Sequence, residues 1–261
     1  MKRAFKLEKV FIKQYLKQLM EYKGDFLVGV IGMFLTQGLN LLFLNIIFKS
    51  IPTLNGWTLK QIAFIYGFSL IPKGLDHLFF DNLWSVGQQF IKTGEFDKYL
   101  IRPINPLLHV LIEKFCIDAF GELIIGISLL AITTSYISWS AVKFCLFLIT
   151  IPFTTIIYTS LKVIAASMAF RYKQAGSVMY IFYMINDFSK YPVSIYNNSI
   201  KFIITFVIPF AFAGYYPASF FLTNENILFN IGGVIIISLT LLGIALIFWK
   251  KGILKYESTG S

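Results

Sequence analysis

Apolar residues in this chain gather into long blocks, with no period-2 alternation of the kind a half-buried strand shows. A helix that crosses a bilayer needs about 20 mostly apolar residues. Blocks 26–48 and 227–249 meet that requirement without one charged residue, and 59–83, 107–134 and 144–170 meet it with a few charges each. The stretch 174–223 divides into a short apolar run, a polar patch at 187–201, and a longer run at 202–223 interrupted by Pro209, Gly214 and Pro217. Ahead of these blocks, Lys6, Lys9, Lys13 and Lys17 recur at spacings of three and four. Leu7, Phe11, Tyr15, Leu19 and Tyr22 repeat on another face. Residues 1–25 therefore predict an amphipathic helix on the cytoplasmic membrane surface, either a lipid-resting anchor or a docking helix for a cytoplasmic partner.

Composition agrees with this pattern. Of 261 residues, 57% are hydrophobic and 14% charged, and mean hydropathy is +0.71. Soluble domains carry about 25% charged residues. The chain reads as one membrane bundle with short loops, residues 26–249, and a tail at 250–261. Stretch 1–23 has lysines throughout and no uninterrupted apolar core, unlike a cleaved leader. Cys116 and Cys145 lie in apolar runs and make neither a disulfide nor a zinc framework, so they read as packing residues. No internal repeat is present.

The formal net charge of +10 would suggest nucleic acid in a soluble protein. Here the positive residues flank apolar runs, and they read as topology signals and membrane-lipid contacts. With the N-terminus inside, regions 1–25, 84–106, 171–173 and 250–261 hold most of the Lys and Arg, while Lys49, Lys60, Lys143, Lys190 and Lys201 lie outside. Both termini inside demands an even number of crossings, so only one run within 174–223 crosses fully. Charge favours 202–223 as the crossing. The prolines favour it as a re-entrant element and 174–188 as the fifth span.

Signatures of enzyme chemistry are missing from the sequence. There is no G-x-x-x-x-G-K-[ST] loop, no H-E-x-x-H and no G-x-S-x-G. His77 and His109 stand alone in the sequence and read as packed or interfacial residues. The charges inside apolar runs carry more information: Lys73, Asp76, Asp118, Glu122 and Lys162. Asp118 and Glu122 are four apart and share a helix face. Buried charges of this kind face a bundle interior or water and find partners. They read either as a polar patch on a substrate path or as structural ion pairs within or between subunits.

The longest inside loop, residues 92–107, reads KTGEFDKYLIRPINPL. Gly94 punctuates it, Pro103 and Pro106 stiffen it, and a rigid loop between spans suits transmission of force from a soluble partner. At this loop the sequence resembles the permease subunits of ABC-2-type exporters, in a bacterial branch carrying G-x-F-D-x-x-L-x-R-P-x-x-P-L. The matching residues are Gly94, Phe96, Asp97, Leu100, Arg102, Pro103, Pro106 and Leu107. Phe188, Tyr191, Pro192, Pro209, Tyr215, Tyr216 and Pro217 form a second match, and Gly56-Trp57-Thr58 a third. The resemblance covers nearly the whole chain.

It implies an all-α membrane protein of six transmembrane helices, near 26–48, 59–83, 107–134, 144–170, 174–188 and 227–249. An N-terminal amphipathic helix, a cytoplasmic coupling helix and a re-entrant hairpin near 202–223 complete the expected fold. It also implies a permease dimer, homo- or heteromeric, in the bacterial cytoplasmic membrane, with both termini cytoplasmic. Cytoplasmic ATPase subunits would bind the ATP and magnesium, and this chain would bind no cofactor. Gly94, Glu95, Phe96, Asp97, Leu100, Arg102 and Pro103 would form the ATPase-coupling loop, with Asp97 and Arg102 as its main contacts. The competing expectations are a membrane-embedded enzyme acting on a lipid or lipid-linked sugar, built on the five intramembrane charges, and a small channel or immunity protein working without an ATPase.

Overall fold

The computed structural model describes residues 23–258, so the amphipathic helix expected at 1–25 lies almost wholly outside the described residues. What is described is helical; the sole exception among paired strands is an isolated bridge joining Leu54 to Trp57. Eight helices of eight residues or more organise it. They are α1 (Lys23–Ser50), α2 (Leu59–Phe80), α3 (Pro106–Glu113), α4 (Phe120–Thr133), α5 (Ala141–Ser167), α6 (Gly176–Asn186), α7 (Tyr215–Thr223) and α8 (Gly233–Ile253).

Among the described residues, four helical stretches are long and apolar enough to cross a membrane: Leu27–Ser50, Ile117–Tyr136, Ala141–Tyr172 and Leu228–Ile253. A fifth candidate is the pair Asn198–Val207 and Phe210–Thr223, bent by 73° at its break. The break falls at Ile208–Pro209, where proline lacks the N–H an unbroken helix requires. The chain is thus a multi-pass helical membrane protein.

α2 occupies the middle of the bundle and packs along α4 and α5, while α8 packs along α5. A capping box starts α2: the Gln61 N–H donates to Thr58 Oγ1, and the Thr58 N–H donates to Gln61 Oε1 at 2.9 Å. From Phe64 to Gly74 every residue of α2 is buried. That position explains how the helix retains Lys73 and Asp76, which are buried, and His77, which is half-buried: neighbouring helices surround them. α2 and α4 approach closely through Gly67 and Gly126. A Cβ at Gly67 would lie 2.8 Å from Leu129 Cβ, and one at Gly126 3.0 Å from Leu70 Cβ, the small-residue contact typical of membrane helices. α1 is the most peripheral element. It buries Gln37, which accepts a hydrogen bond from the Tyr66 hydroxyl, and Leu44, and exposes Leu35, Leu39, Leu42 and Ile46.

Three expected spans differ: block 59–83 forms the helix Leu59–Phe80, which is not among the stretches long and apolar enough to cross, and two others differ in form. Block 107–134 is not one helix: α3 ends at Glu113, Lys114 and Cys116 are extended, and a 3₁₀ turn at Ile117–Ala119 leads into α4. The Cys116 N–H donates to Leu78 O of α2 at 2.9 Å, so the neighbouring helix satisfies a group that the break sets free. Block 174–188 yields only the 11 residues of α6 before a 3₁₀ turn at Asp187–Lys190. Eleven helical residues rise about 16 Å, roughly half of the hydrocarbon core.

Candidate functional site

Three elements bring charge into the bundle. α2 carries Lys73, Asp76 and His77, and Asp81 caps its C-terminus. Asp118 lies in the 3₁₀ turn before α4, Glu122 in the first turn of α4, and Lys162 on α5. The spacing 73, 76/77, 81 keeps the α2 set on one helix face. The pairs form between helices: Lys73 Nζ lies 2.9 Å from Glu122 Oε1 and Lys162 Nζ 2.7 Å from Asp76 Oδ2. Lys162 also reaches Asp81 Oδ1 at 3.1 Å, and the Thr159 hydroxyl donates to Asp76 Oδ1 at 2.8 Å. His77 joins the two pairs. Its Nδ1 lies 3.5 Å from Glu122 Oε2, and its Nε2 lies 3.5 Å from Asp118 Oδ2 and 4.0 Å from Asp81 Oδ2.

All five intramembrane charges singled out in the sequence therefore meet in one network. His77 does not stand alone: it occupies the centre, and Asp81 and Thr159 complete the set. The signal for His77 and Asp81 was present in their spacing from Lys73, but only the approach of α4 and α5 gives it meaning. Burying charges in a bundle costs several kcal/mol per ion unless geometry and hydrogen bonds compensate. Here Glu122, 1% exposed, faces both Lys73 and His77. Cys116 is buried beside the same network. His77, Asp81 and Cys116 each present one ligand-type atom within 4.8 Å of the others.

The network forms one wall of a cavity of about 320 Å³. Trp84, Tyr158, Phe182 and Tyr183 supply much of the rest of its lining. Lys73 Nζ sits 4.9 Å from the centre of the Tyr183 ring, and the Tyr158 hydroxyl donates to Asn186 Oδ1 at 2.7 Å. A space lined by both paired ions and aromatic rings can hold an amphiphile, its polar part against the ions and its apolar part against the rings.

The patterned loop lies elsewhere in the molecule. Gly94 has φ +79°, a left-handed conformation that glycine adopts without the clash a Cβ brings, and it turns the chain after Thr93. Phe96 and Tyr99 then point inward and are fully buried. Phe96 contacts the rings of Phe170, Tyr256 and Trp249 at centroid distances of 4.9, 5.3 and 5.9 Å. Tyr99 donates to Glu113 and receives a bond from Asn82 Nδ2 at 3.1 Å. Glu95 accepts from Gln89 Nε2 and Thr93 Oγ1, both at 3.1 Å. Asp97 is bound by the C-terminal tail: the Tyr256 hydroxyl donates to Oδ1 at 2.8 Å and the Ser258 hydroxyl to Oδ2 at 2.6 Å. Those two bonds hold the Asp97 carboxyl below the usual carboxylate range, and burial, with the bond to Asp97, pushes the Tyr256 phenol up to about 12.

Arg102 Nη1 lies 3.1 Å from Nε2 of His109, a buried residue whose ring also packs edge-on against Tyr99. The residues that protrude are Leu100, Ile101, Arg102 and Pro103, with Ile101 82% exposed. The loop is thus anchored through Phe96, Tyr99 and Asp97 and presents an apolar tip with one arginine.

An all-helical bundle with several helices apolar and long enough to cross a bilayer defines a class, the polytopic membrane proteins. The family follows from the sequence itself: residues 34–260 match the family model described as ABC-2 family transporter protein. The chain belongs to that family, and it is a transmembrane transport permease of the ABC-2 type. No curated protein and no solved structure matches it.

Proposed function

We propose that this chain is the permease subunit of an ATP-driven exporter in the bacterial cytoplasmic membrane, working as a dimer with separate cytoplasmic ATPase subunits. The observation that carries the ATP-driven part is the anchored loop with its exposed tip. Leu100 and Ile101 expose large apolar side chains on a turn whose base is locked to α3, α8 and the tail. A docking knob needs such a form, because a push on a soft loop would be absorbed before it reached the spans. The contact surface then centres on Leu100, Ile101 and Arg102. Asp97 and Glu95 hold the loop's shape through their hydrogen bonds at the surface.

In this reading the chain crosses six times, with both termini inside. α2 is the second span, and the broken α3–α4 element is the third. α6 with its 3₁₀ extension is the short fifth span, and the bent pair ending in α7 is a re-entrant hairpin. The cavity beside Lys73, Asp76, Glu122 and Lys162 belongs to the translocation path. ATP and magnesium belong to the partner subunits.

The test is affinity capture of the tagged chain from gently solubilised membranes, with mass spectrometry of what accompanies it. A co-purifying P-loop ATPase that is lost in Ile101→Asp but retained in Asp97→Asn supports both the exporter and this docking tip. An ATPase retained in both leaves the exporter and removes the tip; no ATPase in repeated extractions removes the ATP-driven reading.

A further inference from the structure

The break between α3 and α4 places a thiol where a membrane helix would ordinarily hide it against apolar side chains. Cys116, 4% exposed, is fixed by its own N–H on Leu78 O and lies against the last turn of α2. Around it stand an imidazole, His77, and two carboxylates, Asp81 and Asp118. One ligand atom of each of His77, Asp81 and Cys116 falls within 4.8 Å of the other two, and Asp118 Oδ2 is 3.5 Å from His77 Nε2.

From this arrangement we infer a zinc site formed by His77, Asp81 and Cys116, with Asp118 as the fourth ligand. Sulfur, nitrogen and oxygen donors together suit zinc and exclude magnesium and calcium, which take oxygen shells. Zinc bond lengths of about 2.0–2.3 Å put tetrahedral ligand atoms roughly 3.5 Å apart. The His77–Asp118 separation already meets this value, and the ligand atoms of His77, Asp81 and Cys116, within 4.8 Å of one another, draw together by at most about 1.3 Å to reach it.

The surrounding groups fit the same assignment. Glu122 Oε2 faces His77 Nδ1 at 3.5 Å, which directs the other ring nitrogen, Nε2, toward Asp81 and Asp118. A carboxylate behind a ligating imidazole is the usual support of a zinc histidine. Lys162 meets Asp81 through Oδ1, and Oδ2 is the oxygen that faces His77. The lysine can therefore stay in place beside a metal.

Asp118, with 36% of its side chain exposed, marks the side from which an ion enters.

The inference is independent of ATP coupling and is tested on the purified full chain in detergent, stripped with chelator and titrated with cobalt(II) as the probe. Expected is one equivalent of cobalt with a near-ultraviolet thiolate charge-transfer band and the visible bands of four-coordinate cobalt, all displaced by zinc. Cys116→Ser should abolish the charge-transfer band, His77→Gln should weaken binding at least tenfold, and Cys145→Ser, at the other cysteine, should change neither. Helicity and gel-filtration profile identify any variant that fails to fold, and the metal content of the unaltered chain after zinc loading and dialysis gives a reading free of substitutions. Absence of a stoichiometric ion in the unaltered chain, or a band that persists in Cys116→Ser and disappears in Cys145→Ser, overturns the site and leaves His77 as an ion-pair partner only.

Discussion

Lys162 shows what a single residue does in this bundle. It neutralises Asp76 and Asp81 together from α5, at 2.7 and 3.1 Å. Lys162→Met should therefore cost about 3–5 kcal/mol, because it leaves two carboxylates without their cation. Thermal or denaturant unfolding in detergent measures this. The Lys73–Glu122 pair offers the complementary test: the double replacement Lys73→Met with Glu122→Leu should destabilise less than either single change. Additive losses would mean that the pair is not a unit. Asp97 differs because it is at the surface. Its carboxyl is held below the ordinary value by Ser258 and Tyr256. The tail contact is then present above the unfolded carboxyl's pKa, near 4, and is lost as pH falls through the lower, folded one. Protection of residues 255–258 in hydrogen exchange should accordingly be flat from about pH 5 to 8 and fall in Asp97→Asn at neutral pH.

At the scale of elements, the informative places are those where helices are interrupted. Uniform hydropathy over 107–134 predicts one helix, yet the chain breaks at Lys114–Cys116, because Leu78 O of α2 receives the Cys116 N–H and because Glu113 is held by Lys98, Tyr99 and Asn82. Such partners come from distant sequence, and no window of local composition contains them. The bend at Pro209 is the opposite case: proline marks it in the sequence, and the angle of 73° is set by packing. The contact of α2 with α4 at Gly67 and Gly126 supplies a further prediction. Gly67→Ala places a methyl against Leu129 and should cost about 1–3 kcal/mol by forcing the helices apart. A melting temperature unchanged in Gly67→Ala would show that the helices can separate freely there.

At the scale of the molecule, the buried ions and the 92–107 loop divide the work. The ions hold α2, α4 and α5 around a cavity, and the loop ties the ends of α3, α5 and α8 to an exposed tip. If force enters at Ile101, Ile101→Asp should abolish ATP-dependent transport and ATPase capture while leaving the melting temperature within about 1 °C, since surface substitutions away from packed features usually cost no more than about 0.5 kcal/mol. Transport in reconstituted vesicles, read beside unfolding in detergent, separates a docking defect from a folding defect.

The sequence by itself determined what depends on local physics. Apolar block length established a membrane protein, glycine and proline marked turns and breaks, and the resemblance pointed to the family to which the chain belongs. It also identified Lys73, Asp76, Asp118, Glu122 and Lys162 as residues that require partners, because an unpaired charge in a bilayer is too costly to keep. Only the tertiary structure decided who the partners are. Pairing runs between helices, as from Asp76 to Lys162, His77 acquires its partners from Asp118 and Glu122, and Asp97 bonds to the tail. The reason is physical: the desolvation penalty of a charge is set by its own segment, whereas the interaction that offsets it depends on how separate helices pack, and packing distance appears in no local stretch of sequence.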